Sequence, residues 1–228
     1  MVSDQLARAG RGRQALVVCG GWEGHRPAAA GDRCARILTE AGYRVTVSDS
    51  LDSYTDEPLL RATDLVVQCW TMGRISPEQL AGLSRAVRAG TGLAGWHGGI
   101  VDAFREEPAY QLMTGGQFVH HPREPVAYTV RPCPGRADHP VLAGVGPFPV
   151  TTEQYYVHVD PGVDVLAHSE FALDPDHPEL AGTLVPVTWT RAWGAGRVFV
   201  TTIGHTLADL AVPEVDAMIR QGMAWVTR

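Results

Sequence analysis

Through the first hundred residues, short apolar runs closed by glycine alternate with amphipathic stretches. Residues 14–19, Gln-Ala-Leu-Val-Val-Cys, end at Gly20 and Gly21 and read as a buried strand. Residues 27–41 follow a helical period and stop at Gly42. Residues 44–48 alternate Val45 and Val47 as a second strand, and residues 64–70 carry Leu-Val-Val-Gln-Cys-Trp as a third. Ser76 is placed as an N-cap before Pro77, opening a helix that runs to Ala89 and stops at Gly90. A fourth strand then leads into Gly-Leu-Ala-Gly-Trp-His-Gly-Gly, residues 92–99. This alternation predicts right-handed crossovers and a mostly parallel, flavodoxin-like sheet flanked by helices. Ligands of such sheets sit off the carboxyl ends of the strands. Gly20-Gly21-Trp22, Cys69-Trp70 and Trp96-His97 all fall at those ends.

The second half has a different rhythm. Strands are expected at 125–131, 148–159, 163–171, 184–193 and 197–203, separated by Pro, Gly and Asp clusters instead of helices. Residues 192–196 suggest a hairpin turn. A last helix, 213–226, sets Val215, Met218, Ile219, Met223 and Trp225 along a broad apolar face. The expected organisation is a tail at 1–13 and one domain at 14–228, a parallel core with a β-rich C-terminal extension.

Composition narrows the function classes. The 228 residues are 45% hydrophobic, enough for one large core, and carry a formal charge of −6. That balance argues against a nucleic-acid partner, which would call for a basic face. No apolar run is long enough to cross a bilayer, and the N-terminus lacks the apolar stretch of a signal peptide. Cys19, Cys34, Cys69 and Cys133 are widely spaced with no C-x-x-C pair, so a reduced, cytoplasmic protein is expected. No G-x-G-x-x-G or Walker motif follows the first strand, so no nucleotide cofactor is expected.

The candidate chemistry is histidine chemistry. Gly98 and Gly99 after a strand end predict a sharp turn like a nucleophile elbow, but the residue held there is His97. His25 follows the first strand, His205 emerges from the last, and His120 and His121 follow Gly-Gly-Gln-Phe-Val. With Glu153 they form a candidate cluster for a divalent ion, zinc first, with nickel and iron as alternatives. Taken singly, each histidine could equally be a solvated loop residue. Trp22, Trp70, Trp96 and Tyr155 lie beside these positions and suit stacking on a sugar ring, with core packing as the alternative. Cys69 is the one thiol near the expected cleft and supports a rival amidase or peptidase reading.

Several motifs together resemble the ThuA-like (trehalose utilisation) family. They are Gly95-Trp96-His97-Gly98-Gly99, residues 116–122 ending in His120-His121-Pro122, and Asp138-His139-Pro140-Val141-Leu142. Glu153-Gln154-Tyr155, Pro186-Val187-Thr188-Trp189, residues 194–199 and Gly204-His205 complete the set. The resemblance implies the fold of class I glutamine amidotransferases, with His97 in the place of their cysteine and His205 in that of their histidine. The protein is then not a glutamine amidotransferase. His121 fits the Phe-x-x-His-Pro pattern, and Thr152 stands where an Asp-Glu-x-Tyr pattern expects aspartate. The expected function is a sugar-catabolic hydrolase or isomerase acting on a disaccharide or keto-sugar. His97, His205 and Glu153 would be catalytic, and His25, His97, His121 and His205 would be metal ligands. Trp22, Trp70, Trp96 and Tyr155 would bind substrate. The alternative is a non-catalytic sugar-binding or regulatory module. The partner would be a small sugar, with neither nucleic acid nor membrane, and a homodimer is a further expectation.

Overall fold

The computed structural model describes residues 12–228; residues 1–11, most of the expected tail, lie outside the described residues. The first half alternates as its pattern predicts: β1 (Gln14–Gly21), α1 (Pro27–Glu40), β2 (Arg44–Ser48), α2 (Glu57–Ala62), β3 (Leu65–Thr71), α3 (Pro77–Arg88) and β4 (Gly92–Trp96). Two short helices follow, α4 (Gly98–Val101) and α5 (Pro108–Thr114). Then come β5 (Gly116–His120), β6 (Val126–Pro132), β7 (Phe148–Thr152), β8 (Tyr156–Val159), β9 (Asp164–Glu170), β10 (Leu184–Trp193), β11 (Gly196–Thr201) and α6 (Pro213–Val226).

Local chemistry explains the boundaries. At α3 a reciprocal capping box satisfies two otherwise orphan N–H groups: Gln79 N donates to Ser76 Oγ at 3.2 Å, and Ser76 N donates to Gln79 Oε1 at 2.9 Å. β1, β3 and β4 are apolar on both sides because the sheet is covered on both faces. One core packs Val17, Val67 and Ala94 against α1 and α6. The other packs Leu16, Val18, Val66 and Leu93 against α2, α3, α4 and α5.

The large sheet has the order β2-β1-β3-β4-β11-β10-β9-β6-β7. Its first five strands are parallel, and the remainder are antiparallel. β5 and β8 form a separate two-stranded sheet. The fold is therefore mixed α/β, and the β-rich second half is built into the same sheet as the parallel core. β11 returns to complete the parallel core beside β4, and β10, β9, β6 and β7 continue the same sheet.

The expected single strand at 148–159 is two strands in two different sheets. The chain leaves β7 at Glu153, and the buried side chain of Gln154 ties this crossing to the end of β9. Its Nε2 donates to Ser169 Oγ at 2.9 Å and to Glu170 O at 2.8 Å, and its Oε1 accepts from Ala172 N at 2.8 Å. The short elements α2, α4, α5 and β5 carry too few residues for a period to register and were not expected.

A cavity of about 250 Å³ lined by Tyr54, Leu60, Arg85 and Thr91 lies near the amino end of β4 and contains none of the histidines. Beside it α3 crosses the loop before α2 at minimal distance: a Cβ on Gly82 would lie 1.8 Å from the Tyr54 carbonyl oxygen. Helix propensity alone would make Gly82→Ala stabilising by about 1 kcal/mol. The clash with backbone should reverse that sign and cost ~1–3 kcal/mol. Gly146→Ala, with open space around it, should stay within ~0.5 kcal/mol. Urea midpoints of the two variants check this; equal midpoints would show that the helix shifts freely.

Candidate functional site

The carboxyl ends of β1, β3, β4 and β11 converge, and each delivers one part of a polar centre. His97 follows β4 with φ +48° and ψ −144°, a left-handed conformation that non-glycine residues rarely adopt. Such backbone costs ~1–3 kcal/mol and persists only when the surroundings over-determine it. Here His97 N donates to Thr201 O at 2.7 Å, and the His97 carbonyl accepts from Val101 N at 2.9 Å. Glycine is required next in the chain, because a Cβ on Gly98 would lie 2.5 Å from His25 Cε1. Arg26 and Met72, at the ends of the loop and strand that carry His25 and Thr71, also have positive φ. Strain is thus concentrated around this centre.

The imidazoles are oriented individually. His97 Nδ1 donates to the Thr202 carbonyl at 2.8 Å, since a carbonyl can only accept, and its Nε2 faces Glu153 Oε2 at 3.1 Å. His25 sits in the turn after β1, which is pinned by Trp22 N donating to Thr71 O at 3.0 Å. Its Nδ1 shares a 2.8 Å hydrogen bond with Thr71 Oγ1. His205 follows Gly204, whose φ of +133° lets the chain pass against the Trp96 ring. His205 Nδ1 lies 3.2 Å from Glu153 Oε2, but off the direction of a hydrogen bond, so this buried nitrogen has no aligned partner. His121 Nδ1 donates to Pro122 O at 2.6 Å, and its Nε2 stands 3.9 Å from the other Glu153 oxygen.

One ligand atom from each of His25, His97, Glu153 and His205 lies within 4.8 Å of all the others. Three imidazoles and one carboxylate are a donor set for zinc or a related divalent ion, and the unbonded His205 nitrogen fits that role. Electrostatics agree with it. Burial, and then the charges of His97 and His205, pull His25 down to about 3. Burial also lowers His205. Burial alone would raise Glu153, but the His97 hydrogen bond and the neighbouring histidines outweigh it and hold the carboxyl below its usual range. With its pKa so far down, His25 is neutral near pH 7 and keeps a lone pair available for a ligand.

Not every expected residue joins the centre. His121 is outside the four-residue set and faces it from the rim. His120 turns away: its Nε2 pairs with Asp174 Oδ2 at 2.5 Å. Trp96 is 5% exposed and packs in the core under α1 and α6, because strand alternation aims it at that face; its expected place against substrate is corrected. Trp70 spreads over Gly20. Tyr155 is buried and stacks on His97 with ring centroids 4.1 Å apart, forming the floor of the centre. Trp22 is 46% exposed and meets the His25 ring edge-on at 4.8 Å. Cys69 is buried, and burial pushes its thiol far up, which removes it as a nucleophile. Thr71, Thr202 and Gln154 position the site, and no local motif marked them in the sequence.

The fold and centre define a mixed α/β protein with a histidine–carboxylate cluster at the carboxyl edge of its parallel strands. The chain belongs to the ThuA family, described as trehalose utilisation, which it matches over residues 14–226. A ThuA-like protein of Parabacteroides merdae is similar with a TM-score of 0.78 at 15% identity, over 95% of this chain and 90% of that one. A ThuA-like protein of Bacteroides uniformis has a TM-score of 0.74 at 15% identity, over 94% and 91%. A protein of Salmonella typhimurium LT2 described as cytoplasmic has a TM-score of 0.65 at 12% identity, over 95% and 100%. No curated protein matches the chain. Among the described residues, no helix is long and apolar enough to cross a membrane.

The depressed histidines set a pH dependence for the metal-free protein. Above pH 6.5 His25 is neutral both folded and unfolded, so it contributes nothing to the slope. Below pH 6.5 the unfolded chain takes up a proton that the folded chain refuses until about pH 3, so stability falls with falling pH in that window. Urea unfolding after chelation should show a loss between pH 7.5 and 5 that is smaller in His25→Gln. An identical loss in the variant would count against burial of a neutral His25.

Proposed function

We propose that this protein is a metal-assisted enzyme of sugar catabolism acting on a disaccharide or keto-sugar derivative. The observation that carries the reading is the convergence of His25, His97, Glu153 and His205 donor atoms within 4.8 Å, with a buried His205 nitrogen left unbonded. Family membership supports the sugar, and the chemistry of the donor set supports zinc. A divalent ion bound there would supply Lewis acidity to polarise a sugar carbonyl or to acidify water. His25, His97, Glu153 and His205 would hold it.

The remaining roles fall to the rim. His121 Nδ1 is committed to Pro122 O, so its Nε2 is the atom free to take a proton from, or return one to, a sugar hydroxyl. Exposed Trp22 offers a stacking face beside His25. Tyr155 excludes water from beneath His97. The strained turn gives His97 rather than cysteine to the cleft, so covalent acyl chemistry at that turn is not part of the reading, and the protein is no glutamine amidotransferase even on an amidotransferase-like fold. Four unpaired cysteines and the Salmonella relative's description support a cytoplasmic location.

Metal analysis of the purified protein, with His97→Ala and His205→Ala alongside, tests this proposal. The expected outcome is about one equivalent of zinc in the wild type. Affinity should fall more than ~100-fold in each variant, beyond the ~10–100-fold typical of outer-shell changes. Turnover of a keto-disaccharide should fall in parallel. Wild-type protein that binds zinc no better than the variants would remove the metal, and unchanged turnover in both variants would remove the catalytic assignment.

A further inference from the structure

Glu153 and His205 are 52 positions apart in the chain, yet a compact hydrogen-bonded bridge ties their backbones together without using either side chain. Thr152 ends β7 immediately before Glu153 and is 2% exposed. Its Oγ1 donates to Asp209 Oδ2 at 2.9 Å. The same carboxylate oxygen accepts from Thr206 N at 2.7 Å, and Asp209 N donates to Thr206 Oγ1 at 3.2 Å. Thr206 directly follows His205. The reciprocal Thr206–Asp209 pair therefore closes the turn that carries His205, and Thr152 fastens that turn to the strand end that carries Glu153.

The bridge matters because His205 has no tether of its own. No aligned hydrogen bond reaches its buried Nδ1, whereas His97, His25 and His121 are each pinned through one ring nitrogen. The His205 ring is placed by the turn beneath it. On the opposite side Glu153 is held by Gln154 and by Tyr128 Oη, which donates to the Glu153 carbonyl at 3.3 Å. Thr152–Asp209 is then the link that sets the 3.2 Å approach of His205 Nδ1 to Glu153 Oε2.

We propose that Thr152 and Asp209 are positioning residues for the metal centre, holding Glu153 and His205 at ligand spacing; this rests on the metal-binding reading of the site. Outer partners that orient metal ligands typically change affinity ~10–100-fold when removed. Thr152→Val keeps the shape and removes the donor. Asp209→Asn keeps an acceptor oxygen and removes the charge, and Asp209→Ala removes both.

Zinc and cobalt titrations of the full-length protein, with the visible spectrum of the cobalt form and urea unfolding, test the bridge. Thr152→Val should fold, lose affinity by ~10–100-fold and alter the cobalt spectrum. Thr152→Ser should restore both, Asp209→Asn should stay close to wild type, and Asp209→Ala should fall with Thr152→Val. Wild-type affinity and an unchanged spectrum in Thr152→Val would overturn the proposal. So would Asp209→Asn failing as badly as Asp209→Ala, since charge and not hydrogen-bond geometry would then carry the effect. If Thr152→Val does not fold, the two Asp209 variants decide between these outcomes. A wild type that takes up neither ion would bring down the metal reading itself, and the bridge's role with it.

Discussion

A carboxylate shut among imidazoles is the constraint on which the rest of this structure turns. Glu153 is largely out of water, and a buried charge without partners is costly enough that the group would instead neutralise. It stays ionised because His97, His205 and His121 surround it. Those histidines come from three separate stretches of chain, so the centre can exist only when β4, β11, β5 and β7 are all in place. The arrangement is not self-sufficient electrostatically. Its imidazoles outnumber its carboxylate, and burial keeps at least His25 neutral. A divalent cation is the partner we propose for this donor set.

The fold meets this demand through backbone geometry more than through side-chain bonds. The turn at His97 is strained, and the Thr201, Thr202 and Val101 backbone groups hold it there. Glycine appears where a Cβ would collide: Gly98 against His25, and Gly204 against Trp96. Beneath the centre, Tyr155 stacks on His97 and meets Phe118 edge-on at 4.6 Å, so the floor is aromatic and buried. In such surroundings charges interact more strongly than they would in water. The rim keeps Trp22 and His121 accessible. A buried aromatic floor under an accessible rim suits the reception of a small polar ligand.

Much of the fold was legible in the chain. The runs at 14–19, 64–70 and 92–96 are apolar without alternation, as strands covered on both faces must be, and Ser76-Pro77 announces α3. The histidines at 25, 97 and 205 could be singled out because each follows a strand end and adjoins glycine. Other features had no local signature. Nothing around Gln154 says that its amide will be captured by Ser169, Glu170 and Ala172, or that 148–159 will be shared between two sheets, β7 pairing with β6 and β8 with β5. Likewise, Trp96 reads as a cleft residue from its neighbour His97, while the strand's two-residue alternation turns its ring into the core.

By itself, then, the sequence determined the alternation of parallel strands and helices, the sharp turn at His97, and the family to which the chain belongs. These depend on periodicity, glycine stereochemistry and short motifs, all of which act within a few residues. Tertiary structure alone decided that β11 closes the parallel core beside β4. It also decided that His25, His97, Glu153 and His205 share one centre while His120 pairs with Asp174 instead. Those outcomes depend on strand order and on hydrogen bonds between residues dozens of positions apart, and such partners are chosen by packing, which no local pattern encodes.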